Sequence, residues 1–240
     1  MASVTQAAER AALNKLIDYL DHDPEKHIPQ IMDLVNKAVP DSVFPAQRKA
    51  IGNAIDEHSN WYELILRAFR LNPEMRSRLL KTLIVDANLL AWPVQQKARE
   101  REQCNIPWAI LLDPTSACNL HCTGCWAAEY GHKLNLSYED LDRIITQGKE
   151  LGIYFYMYTG GEPLVRKADI IKLCEKHYDC EFHAFTNGTL VDDAFCEEMQ
   201  RVGNLSLSIS LEGFEEVNDL RRGVGVYDKV MAAMDKLKSH

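Results

Sequence analysis

Three cysteines that lie close together in the sequence are the side chains best suited to chemistry. Cys118, Cys122 and Cys125 follow a C-x3-C-x2-C spacing on one short segment. Thiolates are the ligands that iron–sulfur clusters require. Three ligands on a four-iron cluster leave one iron without a protein ligand, and an open coordination position on a metal indicates catalysis. Gly124 keeps the turn between the last two cysteines free of side-chain bulk.

A structural zinc site is the alternative interpretation of the same three cysteines. Zinc in a structural site takes four ligands. His132, seven residues past Cys125, could supply the fourth, and His121 is another candidate. In that case the chain would be a zinc-stabilised binding or interaction protein. The spacing of the cysteines alone leaves both interpretations open.

Polar or glycine-rich segments follow four predicted strands, and the cysteine segment is the first of them. The other three segments are residues 159–163, 186–188 and 210–213. In parallel α/β folds, functional residues collect at the carboxyl ends of the strands. We therefore expect the four segments to form one shared site.

The elements that position this site follow an alternating pattern that begins at about residue 106. Short apolar runs predict strands at residues 108–112, 154–158, 181–185 and 205–211. Helical patterns predict helices at residues 137–151, 168–177, 192–202 and 227–238. This order is typical of an α/β fold with a parallel sheet and right-handed crossovers. The sheet could be open or part of a barrel.

Residues 1–105 have a different pattern, which predicts an all-helical N-terminal region. Asp23 before Pro24, and Asn72 before Pro73, are typical of a helix N-cap followed by proline at the first helical position. Pro93 predicts a break or bend. No residue of this region suggests chemistry, and we expect its apolar stripes to form core. An interaction module that recruits a substrate is a further interpretation.

The cysteine spacing after the first strand and Gly-Gly-Glu-Pro after the second resemble the radical S-adenosylmethionine (SAM) superfamily. The resemblance covers about residues 106–240. It implies a (β/α) barrel of six units, of which the sequence supplies four. We therefore expect a partial radical SAM barrel, truncated at its C-terminal end, in a sequence that is a fragment of a longer protein.

The resemblance also implies the cofactors and their chemistry. The three cysteines would ligate a [4Fe–4S] cluster, and SAM would chelate the fourth iron. Gly160, Gly161 and Glu162 would contact the amino group of SAM, and Pro163 would fix the turn. Such an oxidoreductase cleaves SAM reductively to methionine and a 5′-deoxyadenosyl radical, which abstracts a hydrogen atom from the substrate.

Four further residues are predicted to contact SAM or the substrate. Asn187 lies in a Thr-Asn-Gly segment that is similar to the third-strand segment of several family members. Ser210 and Glu212 resemble a fourth-strand Ser-x-Asp-Gly segment, with Glu in place of Asp. Arg222 resembles a downstream arginine that pairs with the carboxylate of SAM.

One position departs from the pattern of the family. Many members carry an aromatic residue just before the third cysteine, against the adenine, where this sequence has Gly124. Trp126 and Tyr130 are the candidates for stacking on the adenine instead.

Composition limits the partners and the compartment. The formal net charge of −8 argues against a nucleic-acid partner. The apolar runs are shorter than the roughly 20 residues of a membrane span, and no signal peptide is recognised. Seven cysteines suit a reducing compartment, so we expect a cytoplasmic protein. The expected partners are an electron donor such as flavodoxin or ferredoxin and an unidentified peptide, lipid or small-molecule substrate. We expect buried thiols at the remaining cysteines, Cys104, Cys174, Cys180 and Cys196.

Overall fold

The computed structural model describes residues 4–41, 44–70, 72–127, 131 and 133–240. Contacts between residues divide the chain into two compact units, Met1–Lys81 and Thr82–His240. The boundary predicted from the sequence, between residues 105 and 106, divides the helical region from the region that carries the motifs. It is a different kind of division from the contact-based one, and it stays a prediction. No helix among the described residues combines the length and the apolar composition needed to cross a lipid bilayer.

The first unit consists of helices, as predicted. Their bounds are Val4–His22 (α1), Pro24–Ala38 (α2), Pro45–Asp56 (α3), Asn60–Ala68 (α4) and Pro73–Leu80 (α5). The carboxylate of Asp23 accepts a hydrogen bond from the backbone N–H of Lys26 at 3.3 Å. The side chain of Asn72 accepts one from the N–H of Glu74 at 3.0 Å. Both predicted N-caps are therefore confirmed.

The second unit alternates strands and helices after a helical entry. That entry is a π-helix, Lys81–Leu90, continued by α6, Ala91–Glu102. The four strands are Ala109–Leu112 (β1), Phe155–Tyr158 (β2), Glu181–Thr186 (β3) and Leu205–Ile209 (β4). The following helices are Tyr138–Glu150 (α7), Lys167–Lys176 (α8), Asp193–Val202 (α9), Glu215–Arg222 (α10) and Val226–Ser239 (α11). The strands form one parallel sheet in the order β1-β2-β3-β4.

The two faces of this sheet have different surroundings. Tyr156, Tyr158, Phe182 and Ala184 point to one face and are fully buried. The hydroxyl of Tyr156 donates to the backbone carbonyl of Ile145 in α7 at 3.0 Å, so helices cover this face. We call the opposite face the open face. Its residues are Ala109, Leu111, Phe155, Met157, Glu181, His183, Phe185, Ser206 and Ser208.

The structure differs from the sequence-based expectation in three places. Helix α10, Glu215–Arg222, was not predicted. Pro93 does not end a helix: it lies within α6, three residues after the change from the π-helix to the α-helix. Cys104 is exposed, not buried, whereas Cys174, Cys180 and Cys196 are buried as predicted. Cys104 lies just after the end of α6.

Candidate cofactor site at the carboxyl ends of the strands

The three cysteines lie on the segment that follows β1, and all three are partly buried. The N–H of Cys125 donates to the carbonyl of Cys122 at 3.2 Å, which closes a turn around Gly124. Gly124 has a φ of 69°, a left-handed conformation that glycine adopts without strain. The N–H of Leu120 donates to the sulfur of Cys118 at 3.5 Å.

The three thiols influence each other electrostatically. Burial raises the pKa of Cys118, and the charges of Cys122 and Cys125 raise it further. Burial also raises the pKa of Cys122, against the lowering effect of the Arg222 guanidinium. A bound metal removes this mutual penalty, because a coordinating thiol is deprotonated outright. The thiols therefore form one electrostatic group.

The separation of these sulfurs matters for the kind of metal centre. Among the described residues, no three His, Cys, Asp or Glu side chains converge closely enough to hold a single metal ion. Zinc-bound thiolates lie about 3.8 Å apart, given tetrahedral Zn–S bonds of about 2.3 Å. In a four-iron cluster each thiolate binds a different iron, which needs a wider spacing. His132 of the zinc alternative lies outside the described residues.

The Gly-Gly turn after β2 lies directly against the main chain that leads to Cys118. The N–H of Gly161 donates to the carbonyl of Thr115 at 2.9 Å, and the N–H of Glu162 donates to that of Ala117 at 2.8 Å. A Cβ at Gly161 would lie 2.2 Å from the oxygen of Ala117. Gly160 has a φ of 101°. Both glycines are therefore required for two backbone segments to approach this closely.

The carboxylate of Glu162 joins the ends of β2 and β3. The side chain is 1% exposed. One of its oxygens accepts from the N–H of Leu164 at 2.9 Å and from the hydroxyl of Thr186 at 2.7 Å. The other oxygen accepts from the N–H of Asn187 at 2.8 Å. Burial raises the pKa of Glu162, and these hydrogen bonds oppose that rise. A carboxylate has about four acceptor positions, so one remains for a ligand.

Asn187 connects the end of β3 to the cysteine segment. Its side-chain amide donates to the Asn119 side chain at 2.9 Å and lies 4.0 Å from the sulfur of Cys118. Its carbonyl oxygen accepts from the N–H and the hydroxyl of Thr189 at 3.0 and 2.7 Å. The amide is therefore held in one orientation, with its donor group toward Cys118 and Asn119.

The segment after β4 closes the opposite side of the cysteine turn. The N–H of Thr123 donates to the carbonyl of Arg221 at 2.7 Å. Glu212 accepts from Arg222 at 2.5 Å and from Arg221 at 2.7 Å. These two arginines hold the pKa of Glu212 below its usual range, with Arg222 the larger cause. The N–H of Ser210 donates to the carbonyl of Thr186 at 2.9 Å.

Trp126 borders a cavity beside the Gly-Gly turn. The cavity has a volume of about 650 Å³, and its walls include Asp113, Gly160 and Gly161. Burial raises the pKa of Asp113. The indole of Trp126 is therefore placed beside the predicted site, whereas Tyr130, the other candidate for adenine stacking, lies outside the described residues.

The structure brings most of the predicted site residues to one edge of the sheet. Thr186 and Asn119 were not assigned individual roles from the sequence, although both belong to the segments singled out. Their contacts depend on the pairing of β2 with β3, which residue spacing alone does not give. The residues at this edge are Cys118, Cys122, Cys125, Gly160, Gly161, Glu162, Pro163, Asn187, Ser210, Glu212 and Arg222.

Comparison with known proteins identifies the family. A family model described as the radical SAM superfamily matches residues 112–240, which is more than half of the 240-residue chain. The chain therefore belongs to the radical SAM superfamily, as predicted. Membership implies a [4Fe–4S] cluster and SAM as cofactors, and it does not favour the zinc alternative.

Curated relatives match more than half of the chain. An uncharacterized protein of Archaeoglobus fulgidus is 35% identical over 147 residues, which are 59% of this chain and 34% of the relative. Fe-coproporphyrin III synthase of Methanosarcina barkeri is 30% identical over 130 residues, which are 52% of this chain and 32% of that enzyme. The chain thus spans about a third of the length of these relatives.

A solved structure supports the fold. The crystal structure of Streptococcus suis SuiB bound to precursor peptide SuiA superposes with a TM-score of 0.52 and 20% sequence identity. The match covers 70% of this chain and 36% of that one. The parallel sheet of four strands with its helices is accordingly a partial (β/α) barrel, in agreement with the predicted fold class.

Proposed function

We propose that this chain carries the SAM-cleaving site of a radical SAM enzyme. The observation that carries the proposal is the meeting of the cysteine segment with the Gly-Gly turn through direct backbone hydrogen bonds of 2.9 and 2.8 Å. When bound, the [4Fe–4S] cluster supplies the electron that cleaves SAM to methionine and a 5′-deoxyadenosyl radical. The roles below belong to the residues of the chain.

Cys118, Cys122 and Cys125 are the proposed cluster ligands. The donor set fits, because three thiols lie on one segment within electrostatic range of each other. Asn187 and the N–H of Leu120 direct donors at the sulfur of Cys118. Hydrogen bonds to cluster sulfurs tune the reduction potential of such centres.

Gly160, Gly161 and Glu162 are the proposed partners of the amino group of SAM. The turn exposes backbone close to the cysteines because neither glycine has a side chain. Glu162 has one acceptor position left after its three hydrogen bonds, which suits an ammonium donor. Pro163 begins a short 3₁₀ helix, Pro163–Arg166, that fixes the end of the turn.

Asn187, Ser210, Glu212 and Arg222 are the proposed further contacts. Arg222 is the cation near Cys122, so it is placed to pair with the carboxylate of SAM. Glu212 holds that guanidinium by a hydrogen bond of 2.5 Å, and we propose that it positions Arg222. Ser210 lies two residues before Glu212, at the end of β4.

The proposed partners are an electron donor such as flavodoxin or ferredoxin, and a substrate of unidentified class. SuiB was solved with a precursor peptide, and the M. barkeri relative is a Fe-coproporphyrin III synthase. A peptide and a small molecule both stay open for this chain, as does a lipid. The seven free cysteines suit a reducing compartment, so the cytoplasm is the proposed location.

The experiment that tests the proposal replaces Cys122 with alanine. The anaerobically reconstituted variant is expected to lose iron and sulfide and to form no 5′-deoxyadenosine from SAM, because one cluster ligand is gone. Iron content, the visible spectrum and chromatographic quantification of deoxyadenosine are the measurements.

Cys104→Ala is the matched control, since Cys104 is exposed and far from the three ligands in sequence. That variant is expected to retain both the cluster and SAM cleavage. Undiminished deoxyadenosine formation by Cys122→Ala would contradict the proposal, and so would a colourless, zinc-containing protein.

A further inference from the structure

A chain of hydrogen-bonded side chains runs along the open face of the sheet toward the proposed cofactor site. The hydroxyl of Ser206 lies 3.2 Å from a carboxylate oxygen of Glu181 and 3.3 Å from the backbone carbonyl of Phe182, and it can donate to either. Nδ1 of His183 lies 2.9 Å from the hydroxyl of Ser206. Nε2 of His183 lies 2.8 Å from the hydroxyl of Ser208. We call these four residues the polar chain.

The register of the strands explains why these residues meet. Glu181 and His183 alternate along β3 and therefore point to the same face. Ser206 is the pairing partner of His183 on β4, and Ser208 is the partner of Phe185. His183 lies three residues before Thr186, or about 10 Å along the strand at about 3.3 Å per residue. Ser208, the outer end of the polar chain, is nearer still, because its partner Phe185 lies one residue before Thr186, and this is within the length of a small substrate from the proposed SAM site.

Glu181 is the inner end of the polar chain. It is 1% exposed, and the hydroxyl of Thr82 donates to its other carboxylate oxygen at 2.7 Å. Burial raises the pKa of Glu181 to about 8, although its two hydroxyl partners lower it. The carboxyl group therefore holds a proton at neutral pH. A buried carboxyl group is unfavourable for stability unless its environment offsets the loss of solvation, so its presence in a sheet requires an explanation.

The polar chain can carry hydrogen bonds in two directions. With an ionised Glu181, Ser206 donates to the carboxylate, His183 donates from Nδ1, and Ser208 donates to Nε2. With a protonated Glu181, each bond can reverse, and the hydroxyl hydrogen of Ser208 then points away from His183. The two directions differ in whether Ser208 offers an acceptor or a donor to the open face.

We propose that the polar chain is a proton relay for a substrate bound on the open face. This proposal rests on the proposed function and adds a substrate class to that function. That class has an oxygen or nitrogen atom at Ser208 that gains or loses a proton during the reaction. Ser208 is the group that contacts this atom, and Glu181 acts through the other members of the chain.

The transfer balances without a further reactant. Ser208 gives its hydroxyl proton to the substrate atom and takes the proton from Nε2 of His183. Nδ1 of His183 takes the hydroxyl proton of Ser206, and Ser206 takes the carboxyl proton of Glu181. The net change is a protonated substrate atom and an ionised Glu181. The reverse sequence removes a proton from the substrate and restores the carboxyl group.

The experiment measures proton exchange at Glu181, with D₂O as the probe. Infrared spectra of the cluster-loaded protein at neutral pH are expected to contain a protonated-carboxyl band that Glu181→Gln removes. After transfer to D₂O, the band shifts as deuterium reaches the buried group. Ser206→Ala interrupts the relay and is expected to slow that shift by at least about tenfold, as for other protected protons.

Thr82→Val is the matched control, because it also removes one hydroxyl bonded to the carboxyl group of Glu181 but lies outside the polar chain. Its exchange rate is expected to equal that of the unchanged protein. His183→Phe gives a second interruption if Ser206→Ala unfolds, and it is expected to slow exchange to the same extent.

Equal exchange rates in the unchanged protein and both interrupted variants would overturn the relay, as would a spectrum from which Glu181→Gln removes no band. Deoxyadenosine formation is measured separately on the unchanged protein. Its absence would count against the proposed function and would leave the exchange result to decide the relay alone.

Discussion

The two units of the chain differ, among the described residues, in whether they bury carboxylates. Among the described residues of the first unit, the buried apolar side chains are Ile17, Ile28 and Tyr62. The buried Arg76 of that unit pairs with Asp21, with one contact of 2.8 Å. The second unit buries a much larger apolar core, and it also buries carboxylates and other polar groups at or near its sheet, among them Glu162, Glu181, Thr186 and Asn187.

Burying polar groups lowers the stability of a fold, so their positions indicate where the second unit is built for chemistry. A buried polar group without a partner costs about 1–3 kcal/mol, and the carboxylates of Glu162 and Glu181 are surrounded by donors. Glu162 has three such donors and Glu181 has two. In the first unit, α2 and α5 have side-chain N-caps, which stabilise these helices. Substitutions in the two units are therefore expected to have different consequences.

The largest expected contrast is between alanine at two glycines. Gly161→Ala places a Cβ 2.2 Å from the Ala117 oxygen, and such overpacking costs about 1–3 kcal/mol. Gly52→Ala in α3 meets no atom within 4 Å, and it is expected to stabilise its helix by up to about 1 kcal/mol. Urea unfolding and deoxyadenosine formation are the measurements. If Gly161→Ala kept both its stability and its SAM cleavage, the expected difference from Gly52→Ala would be contradicted.

A second contrast concerns the pH dependence of stability in the second unit. The pKa of Glu181 is about 8 in the folded protein and about 4.5 when unfolded, so the folded state keeps the proton over this range. The free energy of unfolding is therefore expected to fall as the pH rises from about 5 to about 8, by at most about 1.4 kcal/mol per pH unit from this group. Below about pH 4.5 this contribution is fully present.

Glu181→Gln is the matched variant for that measurement, because it cannot ionise. Urea unfolding between pH 5 and pH 8 is expected to show a flatter dependence in the variant. Identical slopes in the two proteins would mean that Glu181 titrates as an ordinary exposed carboxyl group.

The smallest expected effects are equal in the two units. Ser137 caps α7 by accepting from the N–H of Asp140 at 3.0 Å, and Asn72 caps α5 in the same way. Alanine at either position is expected to cost about 1 kcal/mol of stability. Both variants should cleave SAM at the normal rate, as measured by deoxyadenosine formation. A loss of SAM cleavage in Asn72→Ala would show that the first unit contributes to the chemistry.

Sequence reasoning predicted the strands, the family and the edge of the sheet at which the site lies. It succeeded because each strand is a short apolar run that ends in a polar or glycine-rich segment. Helix α10 was missed because it is short and only Val217 and Leu220 are apolar in its mostly charged sequence.

The links between strands could not be predicted. Thr186 donates to Glu162 across 24 positions of sequence, and His183 meets Ser206 and Ser208 only because β3 and β4 pair in one register. Hydrogen bonds of this kind depend on tertiary pairing, whereas periodicity reports only which face a residue occupies. The polar chain therefore became visible only in the folded protein.

The seam between residues 115–117 and residues 161–162 is made of peptide groups alone. Replacing the side chain of Ala117 leaves these N–H and carbonyl groups in place, so the backbone hydrogen bonds do not depend on that side chain. Gly161 has no such freedom. Related proteins could therefore differ in the side chains around the metal centre, and so in their substrates, while they keep the same backbone hydrogen bonds at this position.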